Sequence, residues 1–226
     1  MVCASHLTLG LRHTQRGAGI HYPVTAPRPW GKLLLGPSIV CPEQTQRAES
    51  TFATIILKPD SLESSKNILT ESRTIIKHPK WRPELFLNDI ALIEIPSCCS
   101  PYNNLYRIYL PIESTTKNGI LYGWNKSTNE TDYPFSLEKN HVHIIENEEC
   151  STSFGSLIRK TNICTNASYS ENGCHGFSGG PLVVNGKIVG IVSFGTNICH
   201  IGYPTVHTRV SKYRKWIQKN SDVVFK

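Results

Sequence analysis

No stretch of the chain stays apolar for long. Runs such as Leu33–Leu35 and Ile188–Val192 fall well short of the roughly 18 residues a membrane-spanning helix requires, which excludes an integral membrane protein. Charge is scarce too. Asp, Glu, Lys and Arg make up 18% of the 226 residues against 39% hydrophobic ones, a balance that supports a packed core and excludes wholesale disorder. Residues 1–29 contain no acid at all. Cysteine, at 8 residues, is too sparse to frame a disulfide-only miniprotein, yet it exceeds what a cytosolic enzyme ordinarily holds. Adjacent Cys98 and Cys99 have no His or Cys at ligand spacing, so zinc is excluded, and no metal or cofactor is expected. The 24 basic and 17 acidic side chains leave a net charge of +7, a weak bias towards anionic partners that does not by itself point to nucleic acid.

What is present reads as many short strands, and the length fits one large domain or two small barrels folded as a unit. Met1–Pro29 mixes Gly, Pro, Thr and His without a period and is expected to be a disordered basic tail. Its first residues carry His6, Arg12, His13 and Arg16 but no apolar run of the kind a secretory leader needs. Phe52–Leu57 and Thr74–Ile76 look like strands separated by the polar Pro59–Ser65 loop, and Asn88–Ile95 is a clear strand closed by Pro96. Leu105–Leu110, Ile120–Gly123 and His141–Ile145 are shorter candidates. Leu182–Val192 is the strongest local signal: two apolar runs flank Asn185-Gly186, a pair that accepts positive φ at both turn positions, so a hairpin is expected. Only the C-terminal end reads as helical. There Ser211 can cap, Val210, Tyr213, Trp216 and Ile217 share one face, and Lys212, Lys215 and Lys219 share another. The sum is an all-β sandwich or barrel with one terminal helix.

Three sequons, at Asn125, Asn129 and Asn166, agree with the cysteine count in pointing to a secreted, glycosylated product. The basic row Arg209, Lys212, Arg214, Lys215, Lys219 and Lys226 offers a contact for an anionic surface, although such a row is more often the solvated side of a helix.

The chemistry centres on Gly173-Cys-His-Gly176-Phe-Ser178-Gly-Gly-Pro181-Leu182. Glycines on both sides of a serine let the backbone turn sharply and bring the N–H groups of Gly176 and Ser178 close to a bound carbonyl. Ser178 then suits a nucleophile and Gly176 an oxyanion hole, while an ordinary glycine-rich loop shares the same composition. Ser178-Gly-Gly-Pro-Leu resembles the nucleophile motif of the chymotrypsin/trypsin-like serine protease family, and other landmarks follow in family order. Asn88-Asp-Ile-Ala-Leu-Ile93 is similar to the segment carrying the family's aspartate, which gives that role to Asp89. Gly123-Trp124 resembles the start of the second barrel, Val192-Ser193-Phe-Gly195 the substrate-binding strand, and Tyr203–Val210 the strand leading into the final helix. The resemblance implies two antiparallel six-stranded barrels over residues 30–220, the first at about 30–110 and the second at about 111–210, with a helix at 211–219. It also implies disulfides Cys150–Cys164 and Cys174–Cys199, and leaves Cys3, Cys41, Cys98 and Cys99 without assigned partners. Asn172, Ser193, Gly195 and Thr205 fall at positions resembling the substrate pocket, and the uncharged Asn172 implies a neutral preference.

Two departures set the functional expectation. The family's histidine precedes a cysteine in a small-residue motif, whereas Val40 precedes Cys41 here, and the first barrel reads as incomplete between Trp30 and His78. The residue before the nucleophile, an aspartate in the family, is Phe177. A serine without a base has nowhere to send its proton. The chain is therefore expected to be an inactive monomeric homologue that binds a protein or peptide in the cleft between its barrels. The alternative is an active secreted endopeptidase whose histidine-bearing part is missing from this sequence.

Overall fold

The Asn185-Gly186 pair turns with positive φ at both residues, 48° and 70°, and joins β11 (Pro181–Val184) to β12 (Lys187–Phe194) as the expected hairpin. This is a computed structural model, and it describes residues 7–11, 20–23, 31–35, 53–57, 68–95, 110, 117–125, 136–166, 177–195 and 202–221. Four further strands, β8 (Asn118–Asn125), β9 (Ser136–Ile145), β10 (Asn162–Thr165) and β13 (Thr205–Arg209), complete a closed barrel in the order β10-β13-β12-β11-β8-β9. Closure removes the sheet edges that an open sheet would expose.

The first half of the chain supplies β1 (Leu7–Leu11), β2 (Ile20–Pro23), β3 (Gly31–Leu35), β4 (Ala53–Leu57), β5 (Ile68–Ser72), β6 (Ile75–Lys77) and β7 (Ala91–Ile95). They form a four-stranded sheet, β2-β1-β4-β5, and a three-stranded sheet, β3-β7-β6. Within the expected tail, Leu7–Leu11 and Ile20–Pro23 are strands instead: β1 pairs with β4 and β2, Leu9 lying opposite Ile55 and Tyr22. The period-2 alternation Leu7, Leu9, Leu11 carries that strand, a signal outweighed by the surrounding Gly, Pro and basic residues.

One apolar cluster ties the two halves together. Ile90, Leu92 and Leu110 pack with Val183, Ile188, Ile191, Val210, Tyr213 and Ile217. A fully buried aliphatic side chain of this size contributes about 1.5–3 kcal/mol. The terminal helix lies on this cluster through the expected face, but its start differs. Val210–Tyr213 is a 3₁₀ turn and α2 runs Arg214–Asn220, so Ser211 caps nothing. A second helix, α1 (Asn147–Phe154), has no apolar stripe to announce it, since Cys150 is its only buried residue. It is anchored to β10 by the Cys150–Cys164 disulfide and by Asn147 Nδ2 donating to the Asn162 carbonyl at 3.3 Å.

Candidate functional site

Ser178 sits in a turn whose backbone is fixed on both sides. The Gly179 N–H donates to the Val192 carbonyl at 3.0 Å, the Val192 N–H to Gly180 at 2.9 Å, and the Gly180 N–H to Phe177 at 2.8 Å. Gly179 has φ 76°, and any Cβ at Gly180 would overlap the Tyr122 carbonyl, so both positions demand glycine. Phe177 holds the turn from beneath. It is 1% exposed, lies in the barrel core with Leu121, Val142, Ile163 and Leu182, and presses its ring on Gly123 so closely that a side chain there would collide with it.

Asp89 lies just before β7 rather than within a strand starting at Asn88. Asn88 has φ 57°, and the Ile90 N–H folds back to the Asn88 carbonyl at 2.8 Å, so extended pairing begins only at Ala91. Asp89 is wholly buried. Its Oδ2 accepts the Ser193 hydroxyl at 2.6 Å, and its carbonyl accepts Thr208 Oγ1 at 2.8 Å. Tyr213 adds a bond from its hydroxyl to Asn88 Oδ1 at 3.3 Å. The acid of the first half is therefore held by β12, β13 and the terminal turn. Ser178 and Ser193 are linked through Val192, so one strand carries both the Ser178 turn and the hydroxyl that meets Asp89. Beside them Phe86, left-handed at φ 49°, stacks on Phe194 at 4.7 Å, while Phe154 meets Phe194 edge-on at 5.5 Å. This aromatic trio comes from three distant segments, and nothing in the local sequence marks it.

The four imidazoles whose side chains are described each lie elsewhere. His78 packs on Tyr213 and Trp216 at 5.4 and 5.0 Å and accepts the Lys80 N–H, and its pKa is lowered by burial and then by Lys80. His143 meets Asn118 Oδ1 at 3.1 Å, and His141 is exposed on β9 opposite Ile120. His207, on β13, is wholly buried, with Nε2 2.9 Å from Thr165 Oγ1. Its Nδ1 has no hydrogen-bond partner among the described residues. Among those residues, no imidazole is bonded to the Ser178 hydroxyl.

Burial pushes the His207 pKa down from 6.5 to about 3. The folded state therefore binds fewer protons than the unfolded chain between those values, so stability rises with pH across that window and is lost as pH falls. Acidification from pH 7 to pH 5 is expected to remove about 2 kcal/mol through this residue alone. Urea unfolding of the wild type and His207→Leu over that range would show the slope flattening in the variant.

Of the expected pocket residues, Ser193 and Thr205 are 4% and 3% exposed, while Gly195 is exposed at the end of β12. Asn172, Gly176, Cys174, Cys199, Asn129, Cys3, Cys41, Cys98 and Cys99 lie outside the described residues. Asn125 ends β8, and Asn166 is exposed, its Oδ1 accepting the His143 N–H at 2.8 Å. Arg209 does not belong to the surface row. Its Nε donates to the Asn162 carbonyl at 2.8 Å and its Nη2 to Asn147 Oδ1 at 3.3 Å, whereas Lys212, Lys215 and Lys219 are exposed. No group of three or more His, Cys, Asp or Glu that could hold a metal occurs among the described residues, and no helix there is long and apolar enough to cross a membrane.

A model of the trypsin family matches residues 48–217. The chain belongs to the trypsin family. It is 34% identical over 165 residues to trypsin II-P29 of Gallus gallus, covering 70% of this chain and 65% of that protein. To trypsin of Xenopus laevis it is 33% identical, covering 66% of this chain and 62% of that one. The chain thus spans slightly less than two thirds of these relatives. A solved collagenase structure superposes with a TM-score of 0.79 at 24% identity, covering 97% of this chain and 94% of the other, which establishes the shared chymotrypsin-like fold. Within the trypsin family this chain is a chymotrypsin-type serine protease homologue, all-β with one closed barrel and a C-terminal helix.

Proposed function

We propose that this trypsin-family member binds a protein or peptide in the cleft between its two halves and does not hydrolyse it. The observation that carries the reading is Phe177. An apolar ring is buried in the barrel core directly before Ser178, where an acid is expected from the family pattern. The missing histidine motif and the placement of the four described imidazoles away from Ser178 support it further. In a related chemistry, removing the base alone costs on the order of 10⁶ in turnover, about 8 kcal/mol of barrier. Asp89 then serves as a buried tie to Ser193, and Ser178 as an ordinary hydroxyl beside the cleft.

Asn172, Gly195 and Thr205 would line a neutral pocket, with Gly176 and Ser178 presenting backbone N–H groups to a peptide carbonyl. The disulfide and the exposed Asn166 sequon favour a secretory route and glycosylation, with Asn125 and Asn129 as further acceptors and Cys174–Cys199 as a second bridge. Exposed Lys212, Lys215 and Lys219 suit an anionic surface. The protein acts as a monomer without metal or cofactor.

The competing reading, an active secreted endopeptidase, is favoured by the retention of both Asp89 and Ser178. A fluorophosphonate probe separates the two. No labelling of Ser178 is expected under conditions that saturate an active trypsin, and stoichiometric labelling abolished by Ser178→Ala would establish the endopeptidase.

A further inference from the structure

The outer wall of the closed barrel carries two imidazoles on one strand. In β9, Val142 turns inward, 5% exposed, and packs with Leu121 and Leu182. His141 and His143, on either side of it, are exposed. Side chains alternate between the faces of a strand, so the two histidines project from the same outer face, their Cα atoms about 7 Å apart. Across the ladder they stand opposite Ile120 and Asn118 of β8.

The backbone beneath His143 is fixed on both sides. Its N–H donates to Asn166 Oδ1 at 2.8 Å, its carbonyl accepts the Asn166 N–H at 2.8 Å, and the next N–H, that of Ile144, donates to the Lys117 carbonyl at 2.6 Å. The ring is held as well, with Nδ1 3.1 Å from Asn118 Oδ1. An amide oxygen can only accept, so Nδ1 carries the proton and Nε2 keeps its lone pair. A hydrogen bond at one ring nitrogen is what commonly turns the other towards a metal ion.

We infer that His141 and His143 together chelate a divalent transition-metal ion on this outer face, copper(II) most tightly, with water in the remaining positions. Imidazole nitrogens suit copper, nickel and zinc, and affinity among these peaks at copper. Metal–nitrogen bonds of about 2.0–2.1 Å ask only that the two rings lean together, and His141 needs just one of its two ring nitrogens. The neighbours on this face, Asn118, Ile120 and Lys139, add no carboxylate, so calcium and magnesium, which take oxygen donors, are not suited. Lys139 is exposed, and its flexible stem lets the ammonium swing out into water away from the ion. The spacing at Cys98 and Cys99 has no bearing on this donor set, and the site is independent of the peptide-binding reading above.

The test is titration of the full chain with copper(II) chloride, read by ¹H–¹⁵N NMR, in which the paramagnetic ion broadens the amides nearest to it. The amides of residues 118–120 and 140–144 are expected to broaden first. His141→Gln and His143→Gln should each weaken binding at this face at least about tenfold, because two linked donors exceed either one alone by a larger factor still. Asn118→Ala should weaken it about tenfold, the lower end for a group that orients a metal-bound imidazole. Both histidines are exposed, so the metal-free variants should unfold at the wild-type urea midpoint, which separates lost binding from lost fold. Zinc chloride should displace copper from the same amides only at higher concentration. Broadening at residues 140–144 that survives either single histidine substitution would leave a lone imidazole as the donor and overturn the chelate. Broadening confined to other parts of the chain would overturn the site itself.

Discussion

Replacing Phe177 by alanine is expected to lower unfolding stability by about 3–5 kcal/mol, the range for deleting a large aromatic ring from a packed core. The ring is 1% exposed and fills the space above Gly123, so little can collapse into the vacated volume. Phe177→Asp should be worse. It leaves the same cavity and adds a carboxylate surrounded by Leu121, Val142, Ile163 and Leu182, where no described neighbour could neutralise it. Restoring the family's acid would therefore loosen the Ser178 turn rather than activate it. Denaturant unfolding, paired with hydrogen exchange at the Gly179 and Gly180 amides, checks both points. Equal protection of those amides in wild type and Phe177→Ala would mean the ring does not anchor the turn.

Ser193→Ala should cost about 3 kcal/mol, towards the upper end for a hydrogen bond to a charged group, because Asp89 is wholly buried when it loses this donor. The effect would appear as a shift in the urea midpoint with little change in slope. Under the proposed non-hydrolysing reading, this stability role is a sufficient reason for Asp89 to be present. A loss under about 1 kcal/mol would show that the 2.6 Å contact contributes no more than an exposed pair.

Much of the second half was legible in the sequence because its signals are local. Asn185-Gly186 specifies a two-residue turn by its φ requirements alone, and Val210, Tyr213, Trp216 and Ile217 mark the packed face of the terminal segment by their spacing. The motifs around Asp89 and Ser178 are likewise contiguous, so the family could be read from them. What escaped the sequence is what tertiary contacts decide. Helix α1 is polar nearly all round and exists by virtue of a disulfide to β10. Strand β1 draws its partners from β2 and from β4, some forty residues on. The buried polar end of the barrel could not be foreseen either, since His207 reads as one histidine in an alternating strand until the register sets it beside Thr165. Asp89 was assigned to a strand that starts two residues later, because the left-handed turn at Asn88 depends on its side chain reaching the Lys80 carbonyl at 2.6 Å.

The covering of Ile90 and Leu92 by Val210, Tyr213 and Ile217 has a consequence for biosynthesis. A nascent chain emerges from the ribosome with its amino-terminal half first, yet the apolar face behind Asp89 stays wet until Val210, Tyr213 and Ile217 have been translated. A premature stop before Val210 would leave a greasy, chaperone-dependent product rather than a smaller working one.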